Sequence, residues 1–280
     1  MNTVCWDFHC HSTASDGTLP AEAVVRRAAA NGVTALALTD HDDLDGLPAA
    51  RQTADELGMD FVNGVEISIE WQHASIHVVG LGFDALAPAL VAGLQAIRDG
   101  RIERARKMGD ALARCGIGGA FAGAMRYAGN PSLISRAHFA RFLVEQGLCK
   151  DVHKVFDHYL VPGKPGYVDH RWASLADAVS WINAAGGVAA IAHPGRYKNI
   201  SGGAMKRFLG EFQELGGQAI EVVCGSHTPD HVLHFARLAR FFGLHASRGS
   251  DFHGPTESHC DLGRLAQLPE DLKPVWRLLK

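Results

Sequence analysis

The chain of 280 residues is 47% hydrophobic and 20% charged, the balance of a soluble globular protein with enough apolar material for a large core. Its formal net charge of −3 gives no global positive field, so an anionic ligand has to be held by local cations or metal ions. No apolar run reaches the ~18 residues of a transmembrane helix, which argues against a membrane partner.

The opening MNTVCWDF shows no cationic stretch leading into an apolar one, so no secretory signal is expected. A first strand is expected near residues 3–9, running into WDFHCHSTASDG, where His9 and His11 stand one residue apart and Asp16 begins an Asp-Gly turn. PAEAVVRRAAANG, residues 20–32, has helical spacing and stops at Gly32. A second strand near 33–39 reaches Asp40 and His41. A third near 61–69 carries Glu66, and a fourth near 75–82 carries His77.

From Pro88 to Pro165 the spacing is helical with no clear strand. This stretch reads as a helical insertion between a first barrel part, 1–87, and a second, 166–280. Beyond it, LADAVSWINAAGG ends in two glycines, strand 187–193 ends at His193, and strand 218–224 carries Glu221. HVLHFARLARFFG then stops at Gly243, and strand 244–250 runs into Asp251-x-His253. Short strands followed by glycine-terminated helices are βα units, and seven of them make an α/β barrel. The six cysteines form no Cys-x-x-Cys pair, which fits reduced thiols in the cytoplasm.

Sixteen histidines are the outlier, and many fall at strand ends. Residues i and i+2 of a strand share a face, so His9 with His11, and Asp251 with His253, can converge. In barrels the functional groups sit where loops leave the strands. His9, His11, Asp16, His41, Glu66, His77, His193, Asp251 and His253 are nine imidazole or carboxylate ligands, too many for one ion and suited to two or three. Any one of them, taken singly, reads as well as a core histidine or a turn aspartate. Placing all of them in a core would leave many polar groups in need of partners.

The pieces DFHCHS, LTDHD, GVEIS, IHVVG, AHPG and GSDFHG, in that order, resemble the PHP (polymerase and histidinol phosphatase) family. The resemblance covers residues 4–84 and 166–254 closely. It implies a distorted (β/α)7 barrel with a trinuclear metal site. NPSLISRAHFARFLVEQG and PGKPGYV within the insertion resemble the stand-alone nucleoside bisphosphate phosphatases related to ribonuclease AM, in which an Asp takes the place of a third-ion His. Asp16 matches that Asp. Carried over position by position, the resemblance implies a first ion held by His9, His11, Glu66 and Asp251, which form the catalytic set. Glu66 bridges to a second ion completed by His77 and His193, and Asp16, His41 and His253 hold the third. Manganese is the expected metal, with Fe²⁺ or Zn²⁺ as alternatives. Asp40 is expected to orient a ligand from behind. Glu221 is not a ligand in the resembling family.

Such a site hydrolyses phosphoesters by direct attack of hydroxide generated on the metals. No nucleophile elbow or phosphate-cradling glycine loop competes with this reading. Ser135 and Arg136, near an expected helix start at residues 130–132, suit a second phosphate, as do Lys164, Arg171 and Arg196. Arg101 and Arg104 lie three apart on one helix face, where solvated surface cations are the plainer reading. A substrate with two phosphates would use metals for one and cations for the other. With the resemblance, that points to 3′,5′-bisphosphates such as pAp, or to the 5′ end of a short RNA degraded 5′ to 3′. Histidinol phosphate and a C–N amidohydrolase substrate are the further rivals. No obligate protein partner is expected.

Overall fold

The computed structural model describes residues 5–72, 74–170, 172–198, 200 and 202–279. Seven strands follow one another round a nearly closed barrel: β1 (Trp6–Asp7), β2 (Ala35–Leu38), β3 (Asp60–Trp71), β4 (Ala74–Leu81), β6 (Val188–Ile191), β7 (Ala219–Cys224) and β8 (His245–Gly249). A two-residue β5 (Ala173–Ser174) pairs with β3 off this path. Helices α1 (Ala21–Ala30), α2 (Leu47–Leu57), α8 (Leu175–Ala184), α9 (Gly203–Glu214) and α10 (Pro229–Phe242) belong to the barrel. Among the described residues no helix is long and apolar enough to cross a membrane.

Two features differ from a regular succession of βα units. β4 runs antiparallel to both β3 and β6, because the chain turns straight back after Trp71 instead of crossing over by a helix. Gln72, with φ 46°, makes that turn. β1 is far shorter than expected, with residues 3 and 4 outside the described chain. The next residues nonetheless close the barrel: Phe8 N–H donates to Arg248 O at 3.1 Å, Asp251 N–H to His9 O at 2.8 Å and His11 N–H to Phe252 O at 2.8 Å.

Alternation along each strand divides its residues between two environments. Val65, Ile67 and Ile69 of β3 pack outward under the helices, and so do Ile76 and Val78 of β4. Glu66 and His77, at the opposite parity, point inward, as does Glu221 between Ile220 and Val222. Apolar packing fills the lower barrel, where Trp6 stacks on Trp276 at 4.8 Å. The upper barrel is left to polar side chains.

Between β4 and β5 come α3 (Pro88–Asp99), α4 (Arg101–Arg114), α5 (Ala120–Met125), α6 (Arg136–Glu145) and the short α7 (Val152–Val155). Leu90, Leu94 and Ile97 of α3 pack into the barrel core. A separate core, with Met108, Leu112, Phe139, Leu143 and Leu160, is built from α4 onward.

Candidate metal centre

Glu66 sits at the middle of the upper barrel, fully buried. Its Oε2 lies 3.2 Å from the Nε2 atoms of His9 and His11 and 3.2 Å from Nδ1 of His41. Its Oε1 lies 2.8 Å from His77 Nδ1 and 2.8 Å from His193 Nε2. Asp251 Oδ1 is 3.5 Å from His9 Nε2 and 3.4 Å from His11 Nε2. On the far side, Asp16 Oδ1 lies 3.4 Å from His253 Nε2 and 4.0 Å from His41 Nε2. Donors sharing an ion at about 2.1 Å stand roughly 3.0–3.4 Å apart. The contacts of Glu66 Oε2 with His9, His11 and His41, of His11 with Asp251 and of Asp16 with His253 have that spacing, while the 2.8 Å contacts of Oε1 are hydrogen-bond distances.

The donor atoms form three groups: His9, His11, Glu66 and Asp251; His41, Glu66 and His77; and His11, Asp16, His41 and His253. His41 turns Nδ1 towards Glu66 and Nε2 towards Asp16, so it faces two groups rather than one. His193 stays close to the second group, 3.3 Å from His77 Nδ1. Among the described residues, eleven buried side-chain nitrogen or oxygen atoms have no hydrogen-bond partner. Eight of them belong to His9, His11, Asp16, His41, Glu66, His193 and Asp251. Orphaned polar atoms are costly unless something else satisfies them, and a concentration of imidazole and carboxylate atoms suits divalent cations. The residues fit the metal.

Electrostatics agree. Burial alone would raise the carboxyls of Asp16, Glu66 and Asp251, but the surrounding imidazoles, and for Asp251 Arg196 ahead of them, hold all three well below the usual carboxylate range. They are therefore anionic, as ligands must be. Burial would lower His11, yet Asp251 and Glu66 push it up to about 10, a measure of the negative charge gathered there.

Surrounding groups fix this shell. Glu221 Oε1 accepts from His9 Nδ1 at 2.8 Å, and its Oε2 from His193 N–H at 2.5 Å, which turns the Nε2 of His9 towards Glu66. Asp40 does not touch His41's ring. Its carboxylate accepts from Ser12 N–H at 2.7 Å, Ser12 Oγ at 2.7 Å and Ser15 Oγ at 2.6 Å, pinning the loop that carries His11 and Asp16. His193 and Asp251 hold left-handed backbones, φ 25° and 55°, uncommon for non-glycine residues and concentrated here at two candidate ligands. Gly249 explains itself by close approach: a Cβ there would stand 2.1 Å from the Cβ of His9.

A cleft of about 560 Å³ opens over the donor groups, with residues of α4, α6 and α7 on its wall. Arg101, Arg104, Ser135, Arg136 and Arg196 all line it. Arg101 and Arg104 are only 4% and 7% exposed, so the solvated-surface reading is wrong for both. Their guanidinium groups lie over the Trp172 ring at 4.9 and 5.3 Å. Arg101 is bound by the Asp42 carboxylate, which also accepts from Ser68 N–H at 2.7 Å and Ser68 Oγ at 2.9 Å. Burial, with Arg136 and Arg101 nearby, lowers Arg104 to about 9, as expected of crowded, buried cations. The helix begins later than expected: Pro131–Leu133 is a short 3₁₀ turn and α6 starts at Arg136, with Ser135 as N-cap. Arg196 donates to Asp251 Oδ2 at 2.5 Å.

Lys164 is not part of this wall. It is exposed near the end of the 88–165 stretch and does not line the cleft, because residues 162–165 of the PGKPG turn all face solvent. Arg171 lies outside the described residues. Sequence reading missed Asp42 and Trp172, which hold the arginines, and His153, Glu257 and His259 on the cleft wall. DHDD offered a signal for Asp42. Nothing local marks the other four.

A model of the PHP domain matches residues 7–202. A 3′,5′-nucleoside bisphosphate phosphatase of Chromobacterium violaceum is 53% identical over 98% of this chain and 96% of its own length. The 5′-3′ exoribonuclease Rnm of Escherichia coli is 41% identical over 98% of this chain and 94% of its own. A solved structure from Chromobacterium violaceum, described as an amidohydrolase with sulfate bound and no metal, superposes with a TM-score of 0.94. It is 52% identical and covers 98% of this chain and 95% of that one.

Proposed function

The chain belongs to the PHP domain family, and from that premise we propose that it is a metal-dependent phosphoesterase removing the 3′-phosphate of nucleoside 3′,5′-bisphosphates. Water attacks phosphorus, the P–O3′ bond breaks, and nucleoside 5′-monophosphate and inorganic phosphate leave. One observation carries the reading: a single cleft has the Glu66-centred donor groups on its floor and Arg101, Arg104 and Arg136 on its wall. That arrangement suits a ligand with two phosphates.

Three divalent ions, Mn²⁺ foremost, are assigned to the donor groups, and the cytoplasm to the reduced thiols. His9, His11, Glu66 and Asp251 would hold the first ion, Glu66 with His77 and His193 the second, and Asp16, His41 and His253 the third. His11, His41 and Glu66 each belong to two of the donor groups. Bound there, the ions would activate the attacking water and neutralise phosphoryl charge. The chain's own part is to fix the substrate. Asp42 holds Arg101 in the cleft, and the start of α6 with Arg136 takes the 5′-phosphate through backbone N–H groups and guanidinium. Arg196, on the edge beside Asp251, faces the scissile group. The insertion, residues 88–165, covers the site as a cap.

A second reading, 5′-to-3′ exoribonuclease on short 5′-phosphorylated RNA, is favoured by the full-length identity to Rnm and uses the same site. A C–N hydrolase has no use for the arginine wall. The test is phosphate release from pAp by Mn²⁺-loaded protein, beside mononucleotide release from a 5′-phosphorylated RNA pentamer and phosphate release from histidinol phosphate. Preference for pAp is expected. Faster turnover of the pentamer moves the assignment to the exonuclease, and inactivity on all three refutes the phosphoesterase.

A further inference from the structure

The loops that carry Asp16 and His253 leave different strands, β1 and β8, yet one helix of the insertion grips both. Arg141 of α6 is 8% exposed. Its Nη2 donates to the main-chain oxygen of Asp16 at 2.5 Å, and its Nε and Nη2 form a two-pronged pair with Glu257, each bond 2.8 Å long. Glu257 belongs to the turn after His253. In that turn Ser258 Oγ accepts from His253 N–H at 2.7 Å and from Gly254 N–H at 3.1 Å. At the start of the same helix, Ser135 Oγ donates to Asp16 Oδ2 at 3.2 Å, while Asp16 Oδ1 remains without a hydrogen-bond partner and faces His253.

We infer that Arg141, together with Ser135, is a positioning residue for the ion of Asp16, His41 and His253, so that the insertion completes that metal group. The inference rests on the ion assignment proposed above. Its physical basis is the cross-link itself. Backbone bonds already join the two barrel loops, Thr18 N–H to His253 O at 2.7 Å and His11 N–H to Phe252 O at 2.8 Å. The guanidinium adds a second tie on the cleft side, so that the distance between their donor atoms is held at two points rather than one. Ser135 takes up one oxygen of Asp16 and leaves the other for the ion. Arg136, the next residue, faces the phosphate, so the helix that grips substrate is also the helix that sets this ion's ligands.

The test is Mn²⁺ binding to the full chain by equilibrium dialysis, with kcat and KM for pAp measured alongside. Arg141→Met keeps the packing stem and removes the fork. The expected result is two ions held as in the wild type and a third weakened about 10- to 100-fold. kcat should fall tenfold or more at limiting Mn²⁺ and recover at high Mn²⁺, with KM within threefold. A variant that keeps all three affinities, or that weakens all three together, overturns the inference, since the second result marks a merely structural arginine. Should Arg141→Met not fold, Ser135→Ala and Glu257→Gln carry the same reading of the third ion. A wild type that binds fewer than three ions defeats the ion assignment instead, which separates the two failures.

Discussion

Replacing Glu221 by Gln tests whether a residue that binds no metal nonetheless sets the site. Glu221 is 1% exposed and accepts two N–H bonds, from the His9 ring at 2.8 Å and the His193 backbone at 2.5 Å. Glutamine keeps one acceptor oxygen and puts an NH₂ where the other stood, so one of the two N–H groups meets a donor. Losing one hydrogen bond to a charged acceptor costs about 1.5–3 kcal/mol, which is roughly 10- to 150-fold in an equilibrium constant. If His9 loses its partner, its ring is free to rotate or to change tautomer, and the cost falls on metal binding. If His193 loses its partner, its left-handed backbone loses a brace, and the cost falls there too. Either way Mn²⁺ affinity should drop by about one to two orders of magnitude, with kcat/KM for pAp following it. Metal titration followed by steady-state kinetics reads both. A Glu221→Gln protein within twofold of wild type on both counts refutes the argument that Glu221 orients the shell.

Arg136→Ala should raise KM for pAp about 10- to 100-fold, from one lost charge-assisted contact. It should leave a substrate without a 5′-phosphate, adenosine 3′-monophosphate, within threefold; equal losses on both substrates would count against a distal phosphate site. Chelation should lower the melting temperature by at least about 5 °C, since each ion at a hundred times its Kd contributes about 2.7 kcal/mol, and an unchanged melting curve would contradict the orphaned donors. Burial lowers both His138 and His227 to about 4, below an unfolded value near 6.5. Their neutral forms therefore stabilise the fold above pH 6.5, and that stability is lost as pH falls towards 4, at up to about 1.4 kcal/mol per unit for each group. Thermal melts of His227→Gln against wild type should show a shallower decline over that window; parallel curves would exclude His227 as a source.

Much of the barrel was legible because local signals agree with the global fold. α1 and α10 are followed by left-handed glycines, Gly32 and Gly243, and then by apolar strands. The reversal at β4 was not legible, since an alternating strand looks the same in either direction and Gln72 carries no turn signature. His77 was therefore placed on the right wall for an incomplete reason: it lies in the first half of a reversed strand, not at the end of a parallel one. Eight of the nine candidate donors could be read because each sits near a strand end or at an inward parity, both of which are local properties, whereas Asp16 lies in the loop well past β1 and was matched to a ligand through the family resemblance. Arg141 and Glu257 could not, because they meet across 116 positions of chain. Lys164 erred in the opposite sense, for nearness in sequence to the returning chain says nothing about which way a loop tip points.

The reversed strand also makes a ruler of α3. Because β4 descends, the chain leaves it at the rim far from the metals, beside Leu81 and Val188. It has to climb back before it can contribute anything to the cleft. The 12 residues of α3 make that climb, about 18 Å at 1.5 Å each, and at its top Arg98 donates to Asp42 O at 2.7 Å while Arg101 meets the Asp42 carboxylate. Removing or adding one turn in α3 would carry Arg101 about 5.4 Å along the axis, out of reach of Asp42. Helix length between Pro88 and Asp99 thus sets where Arg101 meets Asp42, a dimension that side-chain substitutions leave intact and a four-residue deletion would not.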